Sequence, residues 1–266
     1  MTGDHETSSV LSRAEGAVLW LTFNRAEKRN ALSLEMSVKA LEIIEAFAVD
    51  PDMRVLVVCG AGGKAFVSGA DISEFEKERN NAASSARYSE ITAAMFNALY
   101  AVEKPTIAMI KGYCLGGGLA LAASCDLRFV SHDALFAVPA ARLGLAYRPE
   151  FTRRLIDLIG PARTKEILYT GRRFDAREAL EIGFANRVLP KRELETHVRD
   201  CAQLIAGNAP LSIKSSKAIV NQLLMDEGAR DPAHIQRLID ECANSEDFAE
   251  GRRAFMEKRP PRFTGR

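Results

Sequence analysis

The chain has 266 residues, of which 47% are hydrophobic and 27% are charged, and its formal net charge is +1. These values are typical of a folded globular protein with a substantial core, and the near-neutral charge does not favour binding to nucleic acid or a membrane surface. The five cysteines are scattered and form no Cys-x-x-Cys pair. The sequence therefore predicts neither a disulfide framework nor a metal site, and it favours a cytoplasmic location with reduced thiols.

Predicted strands and helices alternate through the first 140 residues. Short apolar, β-branched runs predict buried strands, and apolar residues at helical spacing predict helices. In chain order these are a strand at 18–24, a helix at 34–49, a strand at 54–60, a helix at 88–102, a strand at 105–110, a helix from about residue 118, and strands at 126–131 and 134–138. The alternation indicates an α/β fold with parallel βαβ units.

After residue 150 the pattern becomes mainly helical, and the C-terminal third of the chain is predicted to be nearly all helical. Helical spacing recurs in segments 151–159, 162–169, 176–182, 194–206, 212–225, 233–243 and 248–257, with one short strand at 187–189. Asp175 and Glu178 have the spacing of a helix capping box. We therefore divide the chain into a core, residues 1–200, and a C-terminal helical region, residues 201–266.

The most informative local pattern is the glycine run Gly116–Gly118, together with a turn of small residues at 69–71. Adjacent glycines let the backbone approach a ligand closely and leave N–H groups available. Two such N–H groups aimed at one point would form an oxyanion hole, whereas a tight strand-to-helix turn is the simpler explanation of the run. The spacing of Gly112 and Gly116–Gly118 does not match a dinucleotide fingerprint. Gly63-Lys64 does not form a phosphate-binding loop, because Ala65 follows in place of Ser or Thr.

These motifs, in this order, resemble the crotonase superfamily, also called the enoyl-CoA hydratase/isomerase family. The resemblance covers nearly the whole chain and rests on segments 23–25, 29–32, 64–72, 104–106, 112–118, 125–127, 179–183 and 255–260. It implies a crotonase (ClpP-like) spiral of ββα units with a C-terminal helical trimerisation region. It also implies a homotrimer or a dimer of trimers.

The resemblance implies an acyl-CoA thioester substrate, with coenzyme A as part of that substrate and no separate cofactor. The backbone N–H groups of Ala70 and Gly117 would hold the enolate of the thioester. The residues implied to contact CoA are Lys28, Arg29, Ala31, Lys64, Ala65, Ala70, Asp71, Ile72, Phe255 and Lys258. In some members the last two belong to a neighbouring subunit. Solvated surface positions are the alternative for Lys28, Arg29 and Lys258, and support of its own turn is the alternative for Asp71.

Two positions depart from the hydratases of this family. Those enzymes use one glutamate two residues after the glycine run and another just after a Phe-x-x-Pro strand end. This chain has Ala120 and Ala140 at these positions. A methyl group cannot transfer a proton, and general acid–base catalysis contributes about 10²–10⁴-fold. The sequence therefore predicts a retained oxyanion hole without the usual acid–base pair.

The segment 143–150 offers possible replacements. Tyr147 is predicted to face the pocket, Arg148 to bind a carboxylate, and Glu150 to act as a relocated acid–base group. The alternative is that Arg148 and Glu150 are exposed and open the next helix. The pattern Leu-Gly-x-x-Tyr at 143–147 also resembles methylmalonyl-CoA decarboxylase, although that enzyme has a histidine at the position of Ala70.

Three functions remain open from the sequence. The first is a hydratase/isomerase-family lyase that acts through an enolate with non-standard acid–base chemistry. The second is a decarboxylase of a malonyl-type acyl-CoA, because loss of CO₂ creates the enolate without an external base. The third is a non-catalytic acyl-CoA-binding subunit, which the alanines at 120 and 140 favour.

Overall fold

The computed structural model describes residues 8–71 and 82–266, with the backbone alone described at 82–85. Ile72, which the resemblance implies to contact CoA, lies outside these residues. Among the described residues, no helix is long and apolar enough to cross a membrane.

Ten strands are present in the described part of the chain. They are Val10–Glu15 (β1), Val18–Phe23 (β2), Val55–Gly60 (β3), Ala65–Val67 (β4), Thr106–Ile110 (β5), Tyr113–Leu115 (β6), Leu127–Ser131 (β7), Leu135–Ala137 (β8), Phe174–Asp175 (β9) and Arg187–Leu189 (β10). They form a six-stranded sheet of order β1-β2-β3-β5-β7-β10 and a four-stranded sheet of order β4-β6-β8-β9. Within each sheet only one terminal strand, β1 or β9, is antiparallel to its neighbour.

The helices surround these sheets and then continue alone to the C-terminus. They are Leu34–Val49 (α1), Ala82–Ala101 (α2), Gly117–Ala123 (α3), Pro149–Thr170 (α4), Ala176–Glu181 (α5), Lys191–Ala206 (α6), Pro210–Leu223 (α7), Pro232–Ala243 (α8) and Glu246–Met256 (α9). Helix α4 is interrupted at Gly160, where φ is 75° and ψ is 166°. The interruption confirms the two helical segments predicted there.

The large sheet is buried on both faces. Leu56 and Val58 of β3 pack into the cluster that includes α1 and α2, whereas Val55 and Val57 pack into the cluster that includes α6. Successive residues of a strand point to opposite faces, so a continuous apolar run is required here. The prediction of an α/β fold with buried parallel strands is confirmed.

The small sheet positions the candidate site. Strands β4, β6 and β8 are parallel neighbours, so their carboxyl ends meet at one edge. The chain leaves that edge through the turn 68–71, through Gly116 into α3, and through residues 138–140. Three segments that are distant in sequence are thereby brought together. The predicted boundary at residue 200 stays a prediction, and α6 runs through that residue.

Candidate functional site

The turns after β4 and β6 lie against each other. Gly69 has φ of 113°, and a Cβ atom added there would lie 3.4 Å from the carbonyl oxygen of Leu115. A Cβ atom added to Gly118 would overlap the carbonyl group of Val67. Gly69 therefore requires glycine for its positive φ, and Gly118 requires it for the close approach of the two backbones.

Leu32 contacts both Ala70 and Gly117, the residues whose N–H groups the family resemblance implies as oxyanion donors. It forms a parallel bridge with Ala70, and its Cδ1 atom lies 3.6 Å from the position of a Cβ on Gly117. The bridge uses the N–H of Leu32, which donates to Gly69, and the carbonyl of Leu32, which accepts from Asp71. The structure thus brings the turn at Ala70 next to the start of α3.

The N–H groups of Ala70 and Gly117 have no acceptor among the residues that the structure describes. Gly117 is the first residue of α3, and the first N–H groups of a helix have no partner within it. Both residues are half-buried, so a ligand atom can reach them. This pair of donors suits a carbonyl oxygen that gains negative charge during a reaction.

Asp71 supports the turn that carries Ala70. Its side chain is 6% exposed, and its Oδ2 atom accepts from Nη2 of Arg25 at 3.0 Å. Arg25 Nη1 also donates to the carbonyl of Ala31 at 3.4 Å. The ion pair therefore attaches the turn to the loop 25–31. This contact is the one expected if Asp71 supports its own turn.

Asn30 fixes the loop 25–31 against β4. Its side chain is fully buried, and its Nδ2 atom donates to the carbonyls of Ala61 and Ala65 at 3.1 and 2.9 Å. Its Oδ1 atom accepts from the backbone N–H of Arg25 at 2.9 Å. The sequence does not single out Asn30 as a site residue, although it stands inside a motif that carries the family resemblance. A buried amide among exposed neighbours is visible only in three dimensions.

Most of the residues implied to contact CoA gather along this loop and β4. Lys28, Arg29 and Lys64 are exposed, Ala31 is half-buried, and Ala65 is buried. The structure brings these residues together with Ala70 and Asp71.

Phe255 and Lys258 lie elsewhere in the single chain. Phe255 is on α9, is 82% exposed, and lines a surface cavity with Phe248 and Phe263. Lys258 follows α9 with φ of 53°. Both residues belong to the C-terminal helical region rather than to the cluster around loop 25–31. Their contact with CoA stays a prediction.

Alanine occupies the two positions at which the family resemblance implies glutamates. Ala120 lies on α3 and is 1% exposed, and Ala140 is half-buried in a short 3₁₀ helix, Pro139–Leu143. The N–H of Gly116 donates to the carbonyl of Ala137 at 2.8 Å, which holds the 138–140 segment beside the glycine turn. Neither position offers a group that can move a proton.

Tyr147 reaches the glycine turn. Its hydroxyl donates to the carbonyl of Gly116 at 3.3 Å, and its ring makes an edge contact with Phe151 at 6.0 Å. Burial raises the pKa of Tyr147 well above its ordinary value, so the phenol stays neutral and can donate a hydrogen bond. Phe96 forms an apolar wall of the site with Tyr147 and Phe151, and its Cζ atom lies 3.9 Å from the position of a Cβ on Gly117.

Arg148 and Glu150 pair with each other at the start of α4. Nε of Arg148 lies 2.6 Å from Oε1 of Glu150, and Nη1 of Arg148 donates to the carbonyl of Ser89 at 3.4 Å. Burial opposes ionisation of Glu150, but its own backbone N–H and the Arg148 guanidinium outweigh burial and lower its pKa. This geometry is the one expected of residues that open a helix. Their catalytic roles stay predictions.

The described residues contain no group of three or more His, Cys, Asp and Glu side chains that could hold a metal ion. The site consists instead of backbone donors, an apolar wall and one neutral phenol.

The two-sheet α/β fold, with the turns after β4 and β6 at one edge of the small sheet, is the crotonase fold. Residues 13–266 match the family model described as enoyl-CoA hydratase/isomerase, and the chain belongs to this family, the crotonase superfamily. It is 34% identical over 254 residues to the short-chain-enoyl-CoA hydratase of Clostridium acetobutylicum, covering 96% of this chain and 97% of the relative. It is 36% identical over 264 residues to the carnitinyl-CoA dehydratase of Proteus mirabilis, covering 98% and 100%.

The solved structures show the same relationship. The crystal structure of an enoyl-CoA hydratase/carnithine racemase from Magnetospirillum magneticum superposes with a TM-score of 0.90 at 34% identity, covering 98% of this chain and 97% of the other. The enoyl-CoA hydratase from Bacillus anthracis superposes with a TM-score of 0.90 at 31% identity, covering 97% and 100%. The family match therefore extends over residues 13–266, and the predicted crotonase fold is confirmed.

Proposed function

We propose that this chain binds an acyl-CoA thioester and stabilises its enolate with the backbone N–H groups of Ala70 and Gly117. The observation that carries the proposal is the juxtaposition of two half-buried N–H donors that have no acceptor among the described residues. The names of the two curated relatives describe hydration and dehydration of CoA thioesters, and both names support this substrate class.

The reaction follows from what surrounds these donors. Negative charge that develops on the thioester oxygen is stabilised in a partly dehydrated site, where fixed donors act more strongly than in water. Proton transfer by the two-glutamate mechanism has no groups to carry it at Ala120 and Ala140. Hydratase or isomerase activity of this chain therefore requires another acid–base group, and Glu150 is the one carboxylate in the segment 143–150.

A second candidate is decarboxylation of a malonyl-type acyl-CoA, and the position of Tyr147 favours it. The bond between the α-carbon and the carboxylate breaks, CO₂ leaves, and its bonding electrons form the enolate that Ala70 and Gly117 hold. The single O–H of Tyr147 turns from the carbonyl of Gly116 to donate to the substrate carboxylate or to a water molecule, and water then delivers a proton to the α-carbon. No base is needed to form the enolate.

The first experiment is a mass-spectrometric assay of the purified chain with crotonyl-CoA and with methylmalonyl-CoA. Loss of CO₂ without hydration supports the decarboxylase, and Tyr147→Phe should then lower its rate roughly tenfold or more through the lost hydrogen bond. Hydration of crotonyl-CoA supports the hydratase and assigns proton transfer to a group such as Glu150. Binding of both compounds without turnover indicates an acyl-CoA-binding subunit or a different acyl group.

We also propose a homotrimer or a dimer of trimers, assembled through the C-terminal helical region. Apolar side chains there are exposed in the single chain, and they include Val220, Leu223, Ile239, Phe248, Phe255 and Met256. Burying such side chains is the main driving force of subunit association. Light scattering after gel filtration should give three or six times the chain mass of 29.2 kDa, and a monomer would contradict the proposal.

A further inference from the structure

Two guanidinium groups lie close to one aromatic ring at the start of β6. The Cζ atom of Arg29 lies 5.3 Å from the centroid of the Tyr113 ring, and that of Arg173 lies 5.8 Å from it. Arg29 comes from the loop 25–31, whereas Arg173 comes from the turn between α4 and β9. Tyr113 is half-buried, and both arginines are exposed. The fold thus gathers two cations from distant parts of the chain.

Neither arginine has a carboxylate partner in the structure as described. No side-chain hydrogen bond or ion pair of Arg29 or Arg173 occurs within 8–71 and 82–266. The adjacent Arg172 differs, because it pairs with Glu166 at 2.6 Å and also with Glu178. Asp175 is close in sequence, but it accepts from the N–H of Glu178 as the cap of α5. Two cations that share one ring without a counter-charge favour an anionic ligand.

The geometry of the two groups suits phosphate. A guanidinium that lies over an aromatic ring uses its face for that contact and keeps its N–H edge available. That edge matches the oxygens of a phosphate group with two parallel hydrogen bonds. The shared contact with Tyr113 restricts where both guanidinium groups can lie, which limits the entropy lost on binding.

A short stretch of chain connects Tyr113 with the proposed enolate site. Tyr113 is the first residue of β6, and Gly117 begins α3 four residues later, after the turn at Gly116. The thioester and the phosphates of an acyl-CoA lie at opposite ends of the pantetheine arm. The N–H of Tyr113 donates to the carbonyl of Lys64 at 3.1 Å. Lys64 is exposed, and its segment is the third one beside the Tyr113 ring, after the loop 25–31 and the turn that carries Arg173.

We propose that Arg173, held by Tyr113, binds a phosphate group of the CoA nucleotide beside Arg29. The inference rests on the proposed function, because it assumes that an acyl-CoA occupies the oxyanion turns. It adds Arg173 and Tyr113 to the residues that determine affinity for CoA. Because these cations are exposed, their contribution decreases as salt concentration rises.

The test is calorimetric titration of the whole chain with CoA, dephospho-CoA and pantetheine at low and high salt. Arg173→Gln should weaken CoA about tenfold at low salt and leave pantetheine unchanged, as expected for a lost charge-assisted hydrogen bond. Tyr113→Leu should weaken CoA as well, whereas Tyr113→Phe keeps the ring and should not. Arg177→Gln is the control, since it removes the same charge from an 87% exposed side chain that pairs with Glu181.

The probes also identify the phosphate. Weakening of CoA alone assigns Arg173 to the 3′-phosphate, and equal weakening of CoA and dephospho-CoA assigns it to the pyrophosphate. Unchanged CoA affinity in Arg173→Gln, or equal weakening of pantetheine, overturns the inference while leaving the proposed function intact. Absence of CoA binding by the unaltered chain overturns both.

Discussion

At the scale of single residues, the role that we propose for Ala70 and Gly117 depends on their backbones, so their side chains carry little information about it. A substitution tests their role only if it removes the N–H group. Proline does so, and proline is tolerated at the first position of a helix, where Gly117 lies.

We expect Gly117→Pro to lower the rate of whichever acyl-CoA reaction is detected by about 10²–10³-fold, the usual cost of losing one oxyanion donor. Gly117→Ala is the matched control, because it keeps the N–H. Its Cβ atom would lie 3.6 Å from Leu32 and 3.9 Å from Phe96, which are ordinary contacts. Steady-state kinetics of the two variants provide the measurement. Equal rates for the alanine and proline variants would remove Gly117 from the mechanism.

Tyr147 and Glu150 show how the environment limits acid–base chemistry in this site. Burial raises the pKa of Tyr147, so this phenol keeps its proton at neutral pH. Burial opposes ionisation of Glu150, yet its own backbone N–H and Arg148 lower its pKa, so this carboxyl group has lost its proton. Efficient proton exchange needs a pKa near the working pH. Both shifts move away from that range, which favours chemistry in which the substrate supplies the electrons of the enolate.

At the scale of elements, the decisive contact is that between α3 and β4. Gly118 lies where a Cβ atom would overlap the carbonyl of Val67, so α3 cannot approach β4 with any side chain at this position. The same contact sets the separation of the two donor turns. The packing of α3 on β4, and the proposed geometry of the two donor turns, therefore depend on the absence of a side chain at Gly118.

We expect Gly118→Ala to lower the free energy of unfolding by roughly 1–3 kcal/mol, since backbone must shift to admit the methyl group. Gly228→Ala serves as the control, because a Cβ atom there meets nothing within 4 Å. Urea denaturation followed by circular dichroism measures both. If the two variants lose the same stability, the α3–β4 contact is not as tight as described.

The long elements could be predicted from the sequence because many residues contribute to each pattern. Helix α1 has the predicted bounds, and the side chain of Ser33 caps it by accepting from the N–H of Met36. Strands β4, β6 and β9 have only two or three residues each, too few to show alternation. They become strands through pairing with partners that are distant in sequence.

The site was predictable to the extent that it depends on motifs. The glycine run and the turn at Ala70 indicated backbone donors, and the family resemblance indicated that they meet. The contribution of Phe96 was not predictable, because an apolar residue on a helix resembles any core residue. The contact of Arg173 with Tyr113 joins different motifs through space, and no spacing in the sequence indicates it.

At the scale of the whole molecule, polar contacts attach the C-terminal helices to the core. Arg54, just before β3, donates to the carbonyls of Ala206 and Phe263 at 2.9 and 2.6 Å. Lys217 of α7 pairs with Asp126 at 2.8 Å and donates to the carbonyl of Lys104 at 3.0 Å. Asp126 lies between α3 and β7, so the C-terminal region is anchored at the base of the helix that carries Gly117.

Two lysines of α7 allow this attachment to be tested with a matched pair. The Lys217 side chain is 10% exposed, and its partner Asp126 also accepts from the N–H and hydroxyl of Thr106. Lys214 pairs with Glu103 at 2.8 Å, but these side chains are 36% and 65% exposed. The Asp126 side chain is 32% exposed, so the two pairs differ mainly in the burial of the lysine. Water stabilises the Lys214 ammonium when its bridge is broken, and it reaches the Lys217 ammonium poorly.

We therefore expect Lys217→Met to lower the free energy of unfolding by about 1–2 kcal/mol, and Lys214→Met to change it by less than about 0.5 kcal/mol. Methionine keeps most of the aliphatic stem in both variants, so the difference reports the charge. Urea denaturation at one protein concentration gives both values, because subunit association also affects apparent stability. A larger loss in Lys214→Met than in Lys217→Met would show that the anchor at Asp126 does not hold α7 to the core.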